Sequence, residues 1–81
     1  MAKPSPTHAG DELLAALGLA IRKARLEMGI SQEALAVDSE LDRSYVGGIE
    51  RGEHNLSLIN LKKISKALNR KPSELLSKAK H

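Results

Sequence analysis

The chain contains no cysteine, tryptophan or phenylalanine, and Tyr45 is its only aromatic residue. The absence of cysteine excludes disulfide scaffolds, thiolate metal sites and thiol nucleophiles, and it fits a reducing compartment such as the cytoplasm. No apolar run approaches the ~20 residues that a membrane-spanning helix needs. The core must therefore be built from Leu, Ile, Val and Ala, which suits packed helices.

The charge excess is small. Thirteen Lys and Arg residues against ten Asp and Glu residues give a formal net charge of +3 in 81 residues. That balance permits nucleic-acid binding but does not require it. A chain of this length forms one small domain. Residues 1–10, MAKPSPTHAG, lack the apolar segment of a secretory signal and predict a disordered N-terminal arm, which leaves residues 11–81 as the folded domain.

The first helix is predicted from the spacing of its apolar residues. Between Asp11 and Met28 these recur every three or four positions, the period of one buried helical face. The residues on that face are Leu13, Leu17, Ala20, Ile21, Ala24 and Met28. Asp11 can cap the start of the helix, and Gly29 can end it in a left-handed conformation.

Four shorter helices follow. The capping residues predicted for the first three are Ser31, Asp42 and Ser57, and Pro72 suits the first position of the last helix. They open helices over residues 32–39 and 43–51, a helix whose apolar face comprises Leu58, Leu61, Ile64 and Leu68, and a helix that contains Leu75 and Leu76. Nothing alternates with a period of two, so an all-α fold is predicted. The second and third helices form a helix-turn-helix pair.

The third helix has two unlike sides. Tyr45, Val46 and Ile49 fall on the inner side, and the outer side is polar or bare. Its outer residues are Arg43, Ser44, Gly47, Gly48 and Arg51. Glycine costs about 1 kcal/mol in a helix interior, so two of them favour a role. Without side chains they would let the helix lie close to a second surface.

That second surface can be DNA. The major groove admits one α-helix, whose N-terminal side chains reach the edges of the bases. Arg43 can bond bidentately to guanine, and Ser44 can donate or accept. The alternative is that the glycines allow helix packing or are neutral, and that the arginines are merely solvated.

The segment IRKARLEMGISQEALAVDSELDRSYVGGIERG resembles the helix-turn-helix domains of the phage repressor and Cro family, also called XRE-like. The resemblance covers residues 14–77 and rests on SQEALA, RSYVGGIERG and ISKALNRKPSELL together. Within that family LDRSYVGGIERGEHNLSLINL is most similar to the controller proteins of restriction-modification systems. The resemblance implies a five-helix, lambda-repressor-like fold and sequence-specific regulation of transcription. A phage-type or chromosomal repressor is the alternative.

The resemblance also implies roles for individual residues. Gln32 would contact a phosphate or brace the recognition helix, unless it merely opens its helix. Arg43 and Ser44 would reach base edges, while Gly48 stands where many relatives have a base-contacting side chain. The residues near phosphates would be Arg51, His54 and Asn55, although Arg51 also suits a helix C-terminus without any ligand. Arg25 and Glu50 would form a partly buried ion pair.

Two positions depart from the family pattern. Glu40 occupies a position in the turn that is usually glycine, so the turn must tolerate a side chain or Glu40 must be strained. Lys71 replaces the Ser or Asp that usually caps the fifth helix, which leaves the start of that helix uncertain.

The implied regulator is a homodimer on a palindromic operator, because two half-sites about 34 Å apart match a two-fold axis. Ile59 lies opposite the apolar face of the fourth helix and is the candidate contact, although an isolated exposed isoleucine is common and needs no partner. Of Leu75 and Leu76, one can pack inside and the other face the partner.

An enzyme is not predicted. His8, His54 and His81 lack metal-ligand spacing, and no glycine-rich phosphate loop follows a strand. No cofactor, small-molecule ligand or membrane partner is expected. The remaining alternatives are an antitoxin-like module that binds an acidic protein and a dimeric scaffold that has lost DNA binding.

Overall fold

The computed structural model describes residues 11–80, so the predicted N-terminal arm lies outside the described residues. Those residues form five α-helices and no strand. The helices are α1 (Glu12–Met28), α2 (Gln32–Ser39), α3 (Arg43–Glu50), α4 (Leu58–Ala67) and α5 (Pro72–Lys78). The predicted all-α fold and the short α2–α3 pair are confirmed. The third helix ends one residue earlier than predicted, because Arg51 is its C-cap.

Local capping explains where the first four helices begin. The Asp11 carboxylate accepts from the backbone N–H groups of Leu13 and Leu14 at 2.9 and 3.2 Å. Ser31, Asp42 and Ser57 each accept one backbone N–H bond of 3.0 Å at the starts of α2, α3 and α4. Such caps satisfy amide groups that have no partner within the helix.

The fifth helix begins differently. Lys71 stands at the N-cap position, where its side chain cannot accept a hydrogen bond. The Glu74 carboxylate instead turns back and accepts from the backbone N–H of Lys71 at 3.0 Å. Pro72 then takes the first helical position, where no backbone donor is needed. The helix start that the unusual Lys71 left uncertain is therefore at Pro72.

The turn between α2 and α3 uses the left-handed conformation without glycine. Glu40 has φ 59° and ψ 39°, and its N–H donates to the carbonyl of Val37 at 3.1 Å. A non-glycine residue in this region costs about 1–2 kcal/mol. Of the two possibilities left by the sequence, the structure has Glu40 in the strained conformation. Asn69, which follows α4, also has a left-handed conformation, with φ 58°.

One aliphatic core joins all five helices. Six aliphatic side chains that lie less than 2 % exposed form its centre, and the polar Ser65 is equally buried; the six are Ile21, Leu35, Val46, Ile64, Leu68 and Leu75. The predicted apolar faces are correct in the middle of each helix and wrong at some ends. Leu13, Met28 and Leu58 are 38 %, 44 % and 79 % exposed. All three residues lie in the first or last turn of their helix.

Two glycines allow α1 and the end of α3 to touch. A Cβ atom on Gly18 of α1 would overlap the carbonyl oxygen of Ile49 and lie 2.8 Å from that of Glu50. A Cβ atom on Gly52 would lie 2.7 Å from the Cα of Ala15. The backbones of α1 and of the α3 end are therefore in direct contact, which fixes α3 relative to the core.

Candidate nucleic-acid interface

The N-terminal turn of α3 presents exposed polar side chains. Arg43 and Ser44 are exposed, and Arg43 has no ion-pair partner among residues 11–80. Asp42, whose carboxylate caps the helix at the Ser44 N–H, fixes the backbone from which both side chains project. Val46 and Ile49 face the other way, at 0 % and 3 % exposure. This turn therefore has a capped backbone and two exposed polar side chains.

A buried ion pair fixes the C-terminal end of α3. The Arg25 Nε donates to Glu50 Oε2 at 2.7 Å, and its Nη2 donates to Oε1 at 3.1 Å. Both side chains are nearly inaccessible, at 9 % and 2 %. The remaining Arg25 nitrogen, Nη1, donates to the carbonyl of Ile30 at 3.0 Å. The structure thus brings together the two residues that the resemblance paired, and their geometry is bidentate.

Gln32 extends this network to α2. Its Nε2 donates to Glu50 Oε1 at 3.1 Å, and its side chain is half-buried. Its Oε1 would lie 3.5 Å from a Cβ atom on Gly47. Gln32 therefore connects the start of α2 to α3. This is the bracing contact that the resemblance implied as one of two possible roles. It does not simply open its helix into solvent.

Arg51 follows α3 and pairs with a residue that sequence reasoning did not single out. Its Nε donates to Glu53 Oε2 at 2.9 Å and its Nη2 donates to Oε1 at 3.2 Å. Hydrogen bonding from Arg51 lowers the pKa of the Glu53 carboxyl, and hydrogen bonding from Glu53 raises the pKa of the Arg51 guanidinium. The sequence Arg51-Gly52-Glu53 could have indicated this ion pair, because a left-handed glycine turns the chain and brings the residues on either side of it together.

The adjacent glycines are covered by the chain's own side chains. Both are buried, so the bare outer surface expected at these positions is absent. A Cβ atom on Gly47 would lie 3.2 Å from the Nη1 of Arg51, and one on Gly48 would overlap the imidazole of His54. Arg51 and His54, which lie where side chains at the two glycines would lie, are therefore residues that the resemblance places near phosphates.

The loop after α3 is shaped by Gly48. Its carbonyl accepts the N–H of Glu53 at 2.9 Å. The His54 ring lies over the glycine and packs against Tyr45, with ring centroids 5.0 Å apart and planes tilted by 45°. The Tyr45 hydroxyl accepts from the Asn60 side chain at 3.1 Å, which links α3 to α4. Asn55 is exposed on this loop.

The three residues expected at a dimer contact differ in exposure. Ile59 is 65 % exposed, Leu76 is half-buried, and Leu75 is 0 % exposed in the core. Leu75 is thus the inward-facing member of the pair and is not available to a partner. Ile59 lines a depression between α2 and α4, whereas Leu76 lines a different, shallow one near the end of α5.

The described part of the chain contains neither a candidate metal site nor a candidate membrane-spanning helix. Among residues 11–80 no three His, Asp or Glu side chains are grouped so as to hold a metal ion. Across the same residues, no helix combines the length and apolar character needed to cross a bilayer.

Comparison with known proteins identifies the family. Residues 21–75 match the helix-turn-helix family. The control protein C.BamHI of Bacillus amyloliquefaciens is 48 % identical over 60 residues, which span 73 % of this chain and 74 % of the relative.

Solved structures agree. The restriction-modification controller protein C.AhdI from Aeromonas hydrophila is 52 % identical, with a TM-score of 0.75 over 76 % of this chain and 94 % of that one. The clp gene regulator ClgR from Corynebacterium glutamicum is 31 % identical, with a TM-score of 0.82 over 84 % and 87 %. The chain therefore belongs to the helix-turn-helix family of DNA-binding transcription regulators, in which its relatives include controller proteins of restriction-modification systems.

Proposed function

We propose that this protein is a restriction-modification controller that binds double-stranded DNA in a sequence-specific manner and regulates transcription in the cytoplasm, without catalysing a reaction. The observation that carries the proposal is the exposed first turn of α3, with Arg43 and Ser44 projecting from a helix that the Arg25–Glu50 pair fixes. A helix of this kind fits the major groove, where its N-terminal side chains contact base edges.

The proposed contacts divide into two kinds. Arg43 would donate to the O6 and N7 atoms of a guanine, and Ser44 would contact the neighbouring base. Asn55 and His54 on the loop would lie near phosphates, which set the register of the helix without reading sequence. Gly47 and Gly48 would contribute indirectly, since their missing side chains leave room for Arg51 and His54.

A homodimer on a palindromic operator completes the proposal. Ile59 is 65 % exposed and Val37 is 71 % exposed, and both line the depression between α2 and α4. The same depression is lined by acidic residues from the end of α2, Asp38 and Glu40, and by three lysines of α4. In a two-fold interface each patch meets its own copy, so an apolar centre with acidic and basic sides can be self-complementary.

Selection of binding sites from random duplexes tests the function. The protein should enrich one palindromic sequence and bind it at least about 10³-fold more tightly than random duplex. Its affinity should fall with salt, with a slope near −0.9 for each phosphate neutralised. An antitoxin-like module or a scaffold without DNA binding would enrich no sequence.

The Arg43→Ala variant tests the site. It should weaken operator binding by about 1–3 kcal/mol and relax specificity at one position in each half-site, because one base-reading residue is lost. Arg22→Ala is the matched control, since it removes the same charge from an exposed position on α1. Equal operator affinity for Arg43→Ala and Arg22→Ala would contradict the assignment.

A further inference from the structure

We propose that Arg51 contacts a guanine in each half-site and that Glu53 is the positioning residue that aims its guanidinium. The inference rests on the proposed function and changes the role of Arg51 from a phosphate contact to a base contact. Its basis is the bidentate pair between Arg51 and Glu53 together with the location of that pair beside Gly47.

A guanidinium has two edges that can form paired hydrogen bonds. Glu53 occupies the edge formed by Nε and Nη2, at 2.9 and 3.2 Å. The other edge, formed by Nη1 and the second hydrogen of Nη2, is not used by this pair. The O6 and N7 atoms of guanine accept such an edge bidentately in the major groove. The carboxylate therefore orients the side chain and leaves its base-reading edge unoccupied by that pair.

Gly47 determines where that edge lies. Nη1 would lie 3.2 Å from a Cβ atom on Gly47, on the outer side of α3 that also carries Arg43 and Ser44. Gln32 borders the same position, with its Oε1 3.5 Å away. The guanidinium thus lies in the space that a side chain at Gly47 would occupy. Arg51 consequently adds a donor group to the outer face of α3 from a position beyond the end of the helix.

The charge of the pair favours a base over a phosphate. Arg51 and Glu53 together carry no net charge, so their attraction to a phosphate is weak and the carboxylate is itself repelled by one. The neutral acceptors of guanine depend on donor direction and not on net charge, and direction is what the carboxylate supplies. The side chains remain 61 % and 42 % exposed, which leaves them accessible to DNA.

The test compares Glu53→Gln and Arg51→Lys with the unaltered protein on the selected operator and on its single-base variants. Discrimination for guanine at one position per half-site should be about 5- to 150-fold in the unaltered protein, the range for one bidentate base contact. In both variants this fold-preference for guanine should fall to about one, which means no preference. The preference at the base position that Arg43 reads should be retained. Arg51→Lys keeps the charge and loses only the paired edge.

Glu27→Gln is the matched control. Glu27 forms an exposed ion pair with Arg70 at 2.6 Å, away from α3, and its removal changes net charge by the same amount as Glu53→Gln. It should leave base discrimination unchanged. Thermal melting by circular dichroism shows whether each variant folds.

Two results would overturn the inference while leaving the proposed function intact. In one, Glu53→Gln keeps full discrimination and binds every duplex more tightly with a steeper salt dependence, which would make Arg51 a phosphate contact that Glu53 restrains. In the other, both variants retain the guanine preference. If the unaltered protein enriches no sequence, the proposed function and this inference both fail.

Discussion

Gly47 and Gly48 are adjacent in the sequence and differ in what covers them. Gly47 lies under the flexible end of Arg51, whereas Gly48 lies under the imidazole of His54. The ring of His54 also packs against Tyr45, so it has less freedom to move aside. From the sequence, these glycines could allow close approach to DNA, allow helix packing or be neutral. The sequence could not indicate that His54 covers Gly48, because His54 follows α3 after a left-handed turn at Gly52.

At the same scale, the carboxyl of Glu53 should titrate below the ordinary pKa of 4.5, because the charged form accepts two hydrogen bonds from Arg51. A carboxyl pKa lowered by folding stabilises the native state above the unfolded value, and that contribution is lost as the pH falls through the lowered value. A carboxyl carbon NMR titration should show the low midpoint.

Arg51→Gln should raise that midpoint toward the ordinary value, since the main cause of the shift is removed. Arg43→Gln is the control, because Arg43 forms no described ion pair with Glu53 and its loss should leave the midpoint in place. A midpoint that is the same in all three proteins would show that the pair does not persist in solution.

At the scale of the helix, the first turns were the most predictable feature. Caps are local, so Asp11, Ser31, Asp42 and Ser57 could each be identified from the residue type and the apolar period that follows. Exposure at helix ends was less predictable, as Leu58 illustrates. Whether an end residue is covered depends on the length and crossing of neighbouring helices, which a single helix does not encode.

Some residues of the candidate site could likewise be predicted from the sequence, and others could not. Arg43 and Ser44 could be placed from helical periodicity, because both lie within one predicted helix. The Arg25–Glu50 pair joins residues 25 apart, and only the resemblance identified it. The Glu53 carboxylate was missed because its partner lies across a turn, where helical period gives no guidance.

The contact between α1 and α3 gives a prediction about stability. Gly18→Ala should destabilise the protein by about 1–3 kcal/mol, even though alanine favours a helix, because its Cβ would meet the backbone carbonyls of Ile49 and Glu50. A backbone atom at a helix end cannot turn aside as a side chain can. Chemical denaturation monitored by circular dichroism measures the change.

Gly47→Ala provides the matched control for that prediction. It is the same substitution in a helix interior, but its Cβ would meet only side-chain atoms of Arg51 and Gln32, at 3.2 Å or more. It should stabilise the fold by up to about 1 kcal/mol through helix propensity. A Gly18→Ala protein as stable as Gly47→Ala would show that α1 and α3 can separate at little cost.

For the whole molecule, the small size of the domain makes dimerisation the central question. One α3 helix reaches only a few base pairs, and two copies related by a two-fold axis would read both halves of a palindrome. Ile59→Glu should therefore abolish the proposed dimer, because it places a carboxylate at the apolar centre of the proposed interface. Sedimentation velocity at graded concentrations should show a monomer where the unaltered protein is dimeric.

The loss of the dimer should in turn reduce operator binding far more than half-site binding. Each Ile59→Glu monomer keeps its α3 surface but no longer gains from having the second half-site nearby. Leu26→Glu is the control, since Leu26 is 54 % exposed on α1 and lies outside the proposed interface. If Ile59→Glu remains dimeric and binds the full operator as tightly as Leu26→Glu, the two-fold axis must pass through another surface of the molecule.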